Sequence, residues 1–266
     1  MIDIVFVIAY ALLGLIAGVL AGLLGVGGGL VIVPALIWLF TLQGFEYSII
    51  AHAAVGSSLA TIIATAVSSA AAHHRHAAVN WLSVKQLSMG LFVGAFGGAW
   101  LADQMNTALL QSVFGVFAIL VSLQLFFRAQ AISKNPLPGF AGMNIAGLLI
   151  GTVSGVVGIG GGSMTVPFLT WHNMNIRQAV ATSSACGLPI AVAGFIGFML
   201  TGWSTVQMPA YSSGFIYWPA VIVVSVFSVF LAPFGARLAH SLPVARLKQV
   251  FALLLMVIGM KLVGVY

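Results

Sequence analysis

A glycine-rich turn occurs twice inside long hydrophobic stretches, and this duplication constrains the fold more than any other feature. Residues 25–34 read GVGGGLVIVP, and residues 158–167 read GIGGGSMTVP at an offset of 133. Self-similarity at one fixed offset indicates a duplicated unit. We therefore predict two repeats, residues 1–134 with a cytoplasmic linker and residues 135–266. The match extends to Gly14/Gly147, Gly18/Gly151, Gly22/Gly155 and Trp38/Trp171.

The composition places these turns in a membrane. Of 266 residues, 61% are hydrophobic and 5% are charged, whereas a soluble domain carries about a quarter charged residues. The net charge of +6 comes from bases scattered singly over the chain, which does not favour nucleic-acid binding. The single cysteine, Cys186, excludes an internal disulfide and a multi-thiolate metal site within one chain. We predict a polytopic membrane protein with no cofactor and no metal.

Each glycine turn lies within a stretch of 42 residues that contains no Asp, Glu, Lys or Arg, residues 4–45 and 135–176. A helix of that length would cover about 63 Å, roughly twice the 30 Å hydrocarbon core, so each stretch is predicted to form a hairpin. The second limb, residues 30–42 or 163–172, is too short for a comfortable span. We predict a re-entrant or broken helix there. Pro34 and Pro167 fit either its first turn or a kink just inside it.

The first limb of each hairpin carries glycines four residues apart, a pattern that lets membrane helices pack closely. Small, hydroxyl-rich helices follow at residues 47–72 and 178–200. Longer hydrophobic helices are predicted at residues 82–102, 108–127, 215–239 and 244–265. The predicted fold class is therefore all-α and polytopic, with two repeats that each contain a hairpin and about three longer helices.

Charge predicts the orientation of the two repeats. If the loop around Arg75 and Lys85 is cytoplasmic, as the positive-inside rule requires, all three acids of the chain, Asp3, Glu46 and Asp103, fall outside. Equivalent loops of the two repeats then have opposite charge character, which predicts inverted topology and a non-cytoplasmic N-terminus in the cell membrane. Inverted repeats with broken helices near the midplane are typical of secondary transporters. An outer aromatic belt is predicted at Trp203, Tyr211, Tyr217 and Trp218.

The glycine turns have two interpretations. Glycines allow close backbone packing and positive φ angles. Alternatively, successive amides and the N-terminus of the following helix form an anion site, which is favoured at depth because exposed backbone there must be buried or line a cavity. The serine pairs 57–58 and 183–184 echo each other and either bind the anion or bond their own i−4 carbonyls. The candidate substrate-binding residues are Gly27, Gly28, Gly29, Gly160, Gly161, Gly162, Ser163, Ser57, Ser58, Ser183 and Ser184.

These motifs resemble a known family. Two copies of Gly-x-Gly-Gly-Gly with a proline five residues further on, one per half, are similar to the TauE/SafE family of sulfite and organosulfonate exporters. The resemblance implies a multi-pass permease that moves small sulfur-containing anions out of the cytoplasm. It also implies functional positions at the motif glycines and at Pro34 and Pro167.

The acids lie outside the predicted spans, which disfavours a carboxylate proton relay or a cation carrier. Exporting an anion from a negative interior needs no such relay, so a uniport-like mechanism driven by the membrane potential is predicted. The spans offer no nucleophile–base pair or paired carboxylates, so we predict that the protein is not an enzyme. A permease or channel for another small anion, and a non-transporting membrane scaffold, are the alternatives.

Overall fold

The computed structural model describes residues 3–25, 28–127, 136–241 and 245–264. Helices account for nearly all of this part of the chain, with one two-stranded hairpin. The helices are α1 (Ile4–Leu24), α2 (Gly29–Leu42), α3 (Tyr47–Arg75), α4 (Trp81–Asp103), α5 (Thr107–Phe126), α6 (Phe140–Val157), α7 (Gly162–Trp171), α8 (Ile176–Thr201), α9 (Trp218–Ser241) and α10 (Ala245–Val263).

Six of the described helices are long and apolar enough to cross a membrane: α1, α3, α5, α6, α8 and α9. Among these, α3 is the most enclosed, with 89% of its most apolar window buried inside the protein. The small residues of α3 allow this position, because they let neighbouring helices approach on every side. The prediction of an all-α, multi-pass membrane protein is confirmed.

The two short limbs are helical, with 14 residues in α2 and 10 in α7. At 1.5 Å per residue they measure about 21 Å and about 15 Å, less than the thickness of the hydrocarbon core. Pro34 and Pro167 both lie inside these helices, in the second turn rather than the first. Each proline lacks the amide that would otherwise bond the carbonyl four residues earlier, that of Leu30 or Ser163.

The glycine ridge of each half packs on a helix of the other half. A Cβ atom built on Gly14 of α1 would lie 2.6 Å from the carbonyl oxygen of Val224 in α9. One built on Gly147 of α6 would lie 2.7 Å from the carbonyl oxygen of Leu87 in α4. The glycines therefore do allow the close helix approach that their spacing predicted. The two contacts are reciprocal, since α1 and α6 carry the matched glycines.

The hydrogen bonds and contacts along α3 fix the direction of α8. Near the start of α3, Gly56 lies against Phe198, close to the end of α8. Near the end of α3, the Ser69 hydroxyl donates to Ser184 Oγ at 3.2 Å, in the first half of α8. These two helices, which correspond to each other by sequence, therefore run antiparallel.

The segment before α9 differs from the prediction. A helix was predicted from residue 215, but α9 begins at Trp218, and the preceding residues form an antiparallel hairpin of β1 (Ser212–Ser213) and β2 (Ile216–Tyr217). Gly214, at φ +57°, allows the tight turn between the strands. The predicted interfacial position of Tyr217 is wrong, because its ring is only 7% exposed and packs edge-on against Phe40 and Phe45.

Candidate functional site

The two glycine turns have the same backbone geometry. We call them the first break, residues 25–28, and the second break, residues 158–161. Gly25 and Gly158 end α1 and α6 in the left-handed region, at φ +69° and +78°. Gly28 and Gly161 precede α2 and α7 in the same region, at φ +77° and +73°. A side chain would strain each of these conformations, which explains why both motifs require glycine. Val26 and the predicted site residue Gly27 lie outside the described residues, as does the predicted repeat boundary at residue 134.

The two breaks touch each other. A Cβ atom built on Gly29, the first residue of α2, would lie 2.6 Å from the carbonyl oxygen of Gly158 and 2.8 Å from Cα of Ile159. The sequence motifs lie 133 residues apart but form one place in the fold. Only a residue without a side chain allows this contact between backbones.

Serines from the two central helices donate to the carbonyls of the breaks. The Ser58 hydroxyl, on α3, donates to the carbonyl of Gly158 at 2.8 Å. The Ser183 hydroxyl, on α8, donates to the carbonyl of Gly25 at 2.7 Å. Both bonds are buried, and both join one half of the chain to the other. Each serine therefore satisfies a carbonyl at a helix end that would otherwise lack a donor.

A second reciprocal pair lies one residue earlier on the same helices. Ser57 Oγ accepts from the amide of Tyr217 at 3.0 Å, and Thr182 Oγ1 accepts from the amide of Asn80 at 3.0 Å. Tyr217 and Asn80 each immediately precede a long helix, α9 or α4. The spatial counterparts of Ser57 and Ser58 are thus Thr182 and Ser183. The sequence comparison, which paired them with Ser183 and Ser184, was displaced by one residue because two adjacent serines look alike.

Ser184 behaves as the packing alternative predicted. Its hydroxyl donates to the i−4 carbonyl of Val180 at 3.1 Å and also accepts the Ser69 hydroxyl. Substrate binding by Ser57, Ser58, Ser183 and Ser184 stays a prediction. In this structure their hydroxyl groups bond the protein itself.

The second break is surrounded by three hydroxyl groups that have no hydrogen-bond partner among the described residues. They belong to Ser154 in the last turn of α6 and to Ser163 and Thr165 at the start of α7. Ser154 and Thr165 are fully buried, and Ser163 is 9% exposed. Sequence reasoning identified Ser163 but missed the other two. Their counterparts at the offset of 133 are apolar and buried: Ala21, Leu30 and Ile32.

The start of α7 also presents unbonded amides. Within the described residues, no acceptor bonds the backbone N–H groups of Gly161, Gly162 and Ser163, and Gly161 has no side chain to cap the helix. These N–H groups carry the partial positive charge of a helix N-terminus, equivalent to about half an elementary charge. Neutral N–H and O–H donors in this arrangement are suited to hold a small anion.

The fold and this site define the class of protein, and comparisons with known proteins agree. A protein from Haemophilus influenzae named "Probable membrane transporter protein" is 35% identical over 97% of this chain and 98% of its own length. "Probable membrane transporter protein YunE" from Bacillus subtilis is 29% identical over 94% of this chain and 95% of its own length. "Probable membrane transporter protein MJ0441" from Methanocaldococcus jannaschii is 24% identical over 94% and 92%. The chain is thus a multi-pass membrane transporter.

The family model described as "Sulfite exporter TauE/SafE" matches residues 10–262. The chain belongs to the TauE/SafE family, as the duplicated glycine motifs indicated. No solved structure gives a significant match to it.

Proposed function

We propose that the protein exports a small sulfur-containing anion, sulfite or an organosulfonate, from the cytoplasm across the cell membrane. The observation that carries this proposal is the contact between the two breaks, which brings glycine turns and helix N-termini together inside a bundle of apolar helices. Irregular backbone at such depth is tolerated where protein buries it or where it lines a path for a solute. The name of the matching family supports a sulfur oxyanion.

The two halves, residues 1–134 and 135–266, act as inverted repeats with a non-cytoplasmic N-terminus. The antiparallel directions of α3 and α8 support the inversion, as do the reciprocal serine bonds to Gly25 and Gly158. The distribution of acidic and basic residues supports the orientation. Such a pseudo-twofold arrangement lets one half rock against the other around a fixed central site.

The anion binds at the glycine motifs, through amides of residues 27–29 and 160–162 and through nearby serine hydroxyls. These donors are neutral, so the protein does not hold the solute by ion pairing. The membrane potential supplies the driving force, because expelling one negative charge from a negative interior is favourable by about 2.3 kcal/mol per 100 mV. No coupled ion is required.

Proteoliposomes test this function directly. Vesicles are loaded with sulfite, thiosulfate, sulfoacetate or nitrate, and efflux is followed after valinomycin and an outward potassium gradient make the interior negative. We expect the protein to accelerate efflux of the sulfur anions in proportion to the potential. Protein-free vesicles, and vesicles clamped at zero potential, provide the controls.

The outcomes separate the alternatives. Efflux that ignores the potential and depends strictly on a proton gradient would contradict the uniport mechanism. Faster nitrate efflux than sulfite efflux would indicate a permease or channel for other small anions. A protein that binds and moves none of the four anions would be a scaffold, and the proposal would then be wrong.

A further inference from the structure

We propose that the two breaks are functionally unequal, and that the anion is held at the second break by amides at the start of α7 together with the hydroxyls of Ser154 and Ser163. This inference rests on the proposed function and names the residues that bind the substrate. The first break, in this view, supports the site but does not bind the anion. Three observations lead to this assignment.

The first observation concerns Ser154. Its side chain is fully buried, and its hydroxyl has no hydrogen-bond partner among the described residues. Its Oγ lies 3.3 Å from the position that a Cβ atom on Gly161 would take, so it is directed at the residue that precedes α7. A buried hydroxyl without a partner destabilises the ligand-free protein. Such groups are expected where a ligand supplies the missing bond.

The second observation is that more unbonded polar groups lie at the same place. Ser163 is in the first turn of α7, and its hydroxyl also lacks a partner among the described residues. Thr165, in the same state, lies four residues beyond Gly161, which is one helical turn. The amides of Gly162 and Ser163 supply further donors. Several donors therefore surround one helix N-terminus, as recognition of a tetrahedral or pyramidal oxyanion requires.

The third observation is the contrast with the first break. Ala21, Leu30 and Ile32 take the places of the three hydroxyl-bearing residues and offer no polar side-chain atom. The buried polar side chain nearest to the end of α1 is His73, whose Nε2 lies 3.0 Å from the carbonyl of Gly22. A ring nitrogen at that distance from a carbonyl donates to it. The first break is therefore lined by apolar side chains, and the neighbouring histidine bonds backbone.

A one-sided site favours a solute with one anionic group. The oxyanion head would lie at the start of α7. The apolar lining of the first break would then face the other end of the solute. This arrangement suits an organosulfonate with a short carbon chain better than a symmetric divalent anion, because an apolar surface cannot replace lost hydration of a second charge.

The test compares binding and stability in the full-length protein. Ser154→Ala and Ser163→Ala are purified in nanodiscs, and binding of sulfite and sulfoacetate is measured by calorimetry beside Tm with and without ligand. We expect each substitution to weaken binding at least tenfold. We also expect the ligand-free Tm to stay the same or rise, because a buried hydroxyl without a partner is removed. A purely structural serine would give the opposite pattern.

Two matched variants serve as controls. Ser122→Ala removes a buried hydroxyl that donates to the carbonyl of Ala252 at 2.6 Å, between α5 and α10. It should lower Tm and leave the affinity unchanged. Ala21→Ser places a hydroxyl at the equivalent position of the first break and should leave the affinity unchanged.

Each result decides one question. Wild-type affinity in Ser154→Ala and Ser163→Ala would overturn the assignment while leaving export intact. A change in affinity of equal size in Ala21→Ser would show that both breaks hold the anion, which also overturns the one-sided site. Binding that depends on Ser154 and Ser163 without any transport in proteoliposomes would support the site and contradict the proposed export.

Discussion

The first and second breaks share one backbone but differ in the side chains around it. Both are flanked by glycines in the left-handed region, and both receive a serine hydroxyl from the opposite half, Ser58 or Ser183. The first is lined by alanine, leucine and isoleucine, while the second is lined by two serines and a threonine. Duplication has therefore kept the framework of the turn in both halves, and the polar groups available to a solute lie in only one.

This difference separates two roles that the motif alone combines. Positions shared by both halves, such as the glycines and the capping serines, maintain the geometry. Positions that differ, such as Ser154 and Ala21, determine what the geometry is used for. Equivalent substitutions in the two halves should consequently have equal effects on stability wherever the framework is shared.

The contact between the breaks should be the most sensitive point of the comparison. In Gly29→Ala the added Cβ atom would meet the backbone of Gly158 and Ile159, which has no flexible side chain to move aside. We expect a loss of about 3 kcal/mol in the free energy of unfolding. SDS-induced unfolding in mixed micelles, followed by tryptophan fluorescence, measures it.

The control is Gly97→Ala, in α4, where an added Cβ atom meets nothing within 4 Å. That substitution should stabilise the protein by about 0.5–1 kcal/mol, because alanine favours the helix. If both variants unfold alike, the two breaks do not depend on each other.

The glycine ridges provide a matched pair. Gly14→Ala and Gly147→Ala each place a Cβ atom close to a carbonyl of the partner helix, at 2.6 Å and 2.7 Å. We expect about 2 kcal/mol of destabilisation from overpacking in each case, within 0.5 kcal/mol of each other. The same unfolding assay checks this, and a difference larger than 1 kcal/mol would show that the two interfaces are not equivalent.

The capping serines should also behave alike. Ser58→Ala and Ser183→Ala each leave a buried carbonyl at the end of α6 or α1 without its side-chain donor. About 1–1.5 kcal/mol should be lost in each variant. Since the two bonds lie in different breaks, the double variant should lose the sum. Strong non-additivity in this cycle would mean that the breaks rearrange together.

The smallest effects should come from the loop contacts, and here the halves should differ. Ser57→Ala leaves the amide of Tyr217 unpaired in a buried position, whereas Thr182→Val leaves the amide of Asn80 unpaired where water can reach it. We expect about 1 kcal/mol for the first and about 0.5 kcal/mol for the second. Hydrogen exchange at these two amides, read by mass spectrometry, should rise more for Asn80. A faster rise at Tyr217 would contradict this ranking.

Much of the fold could be predicted from the sequence because apolar helices leave clear signals. The short helices after each glycine turn were predicted to within one residue at three of their four ends, since glycines and prolines mark them. The identity of the partner helices could not be predicted. The ridge at Gly14 and Gly18 indicates a close contact, but only the structure shows that this contact is with α9.

The site was predicted less completely, for two physical reasons. Adjacent hydroxyl residues on α3 and α8 have similar chemistry, so the true counterpart of Ser57, Thr182, was assigned incorrectly. Ser154 and Thr165 are single hydroxyls in apolar helices, where most such residues bond their own backbone. One signal could have found them: at the offset of 133 they fall opposite Ala21 and Ile32 in an otherwise well-matched repeat.

The reciprocal packing of α1 on α9 has a consequence for biogenesis. α1 ends at Leu24, but its partner begins only at Trp218, so most of the chain must be synthesised before the two can meet. During translation the exposed glycine surface of α1 faces lipid or the insertion machinery. The newly made amino-terminal half therefore remains an unfinished assembly that waits for the remainder of the polypeptide.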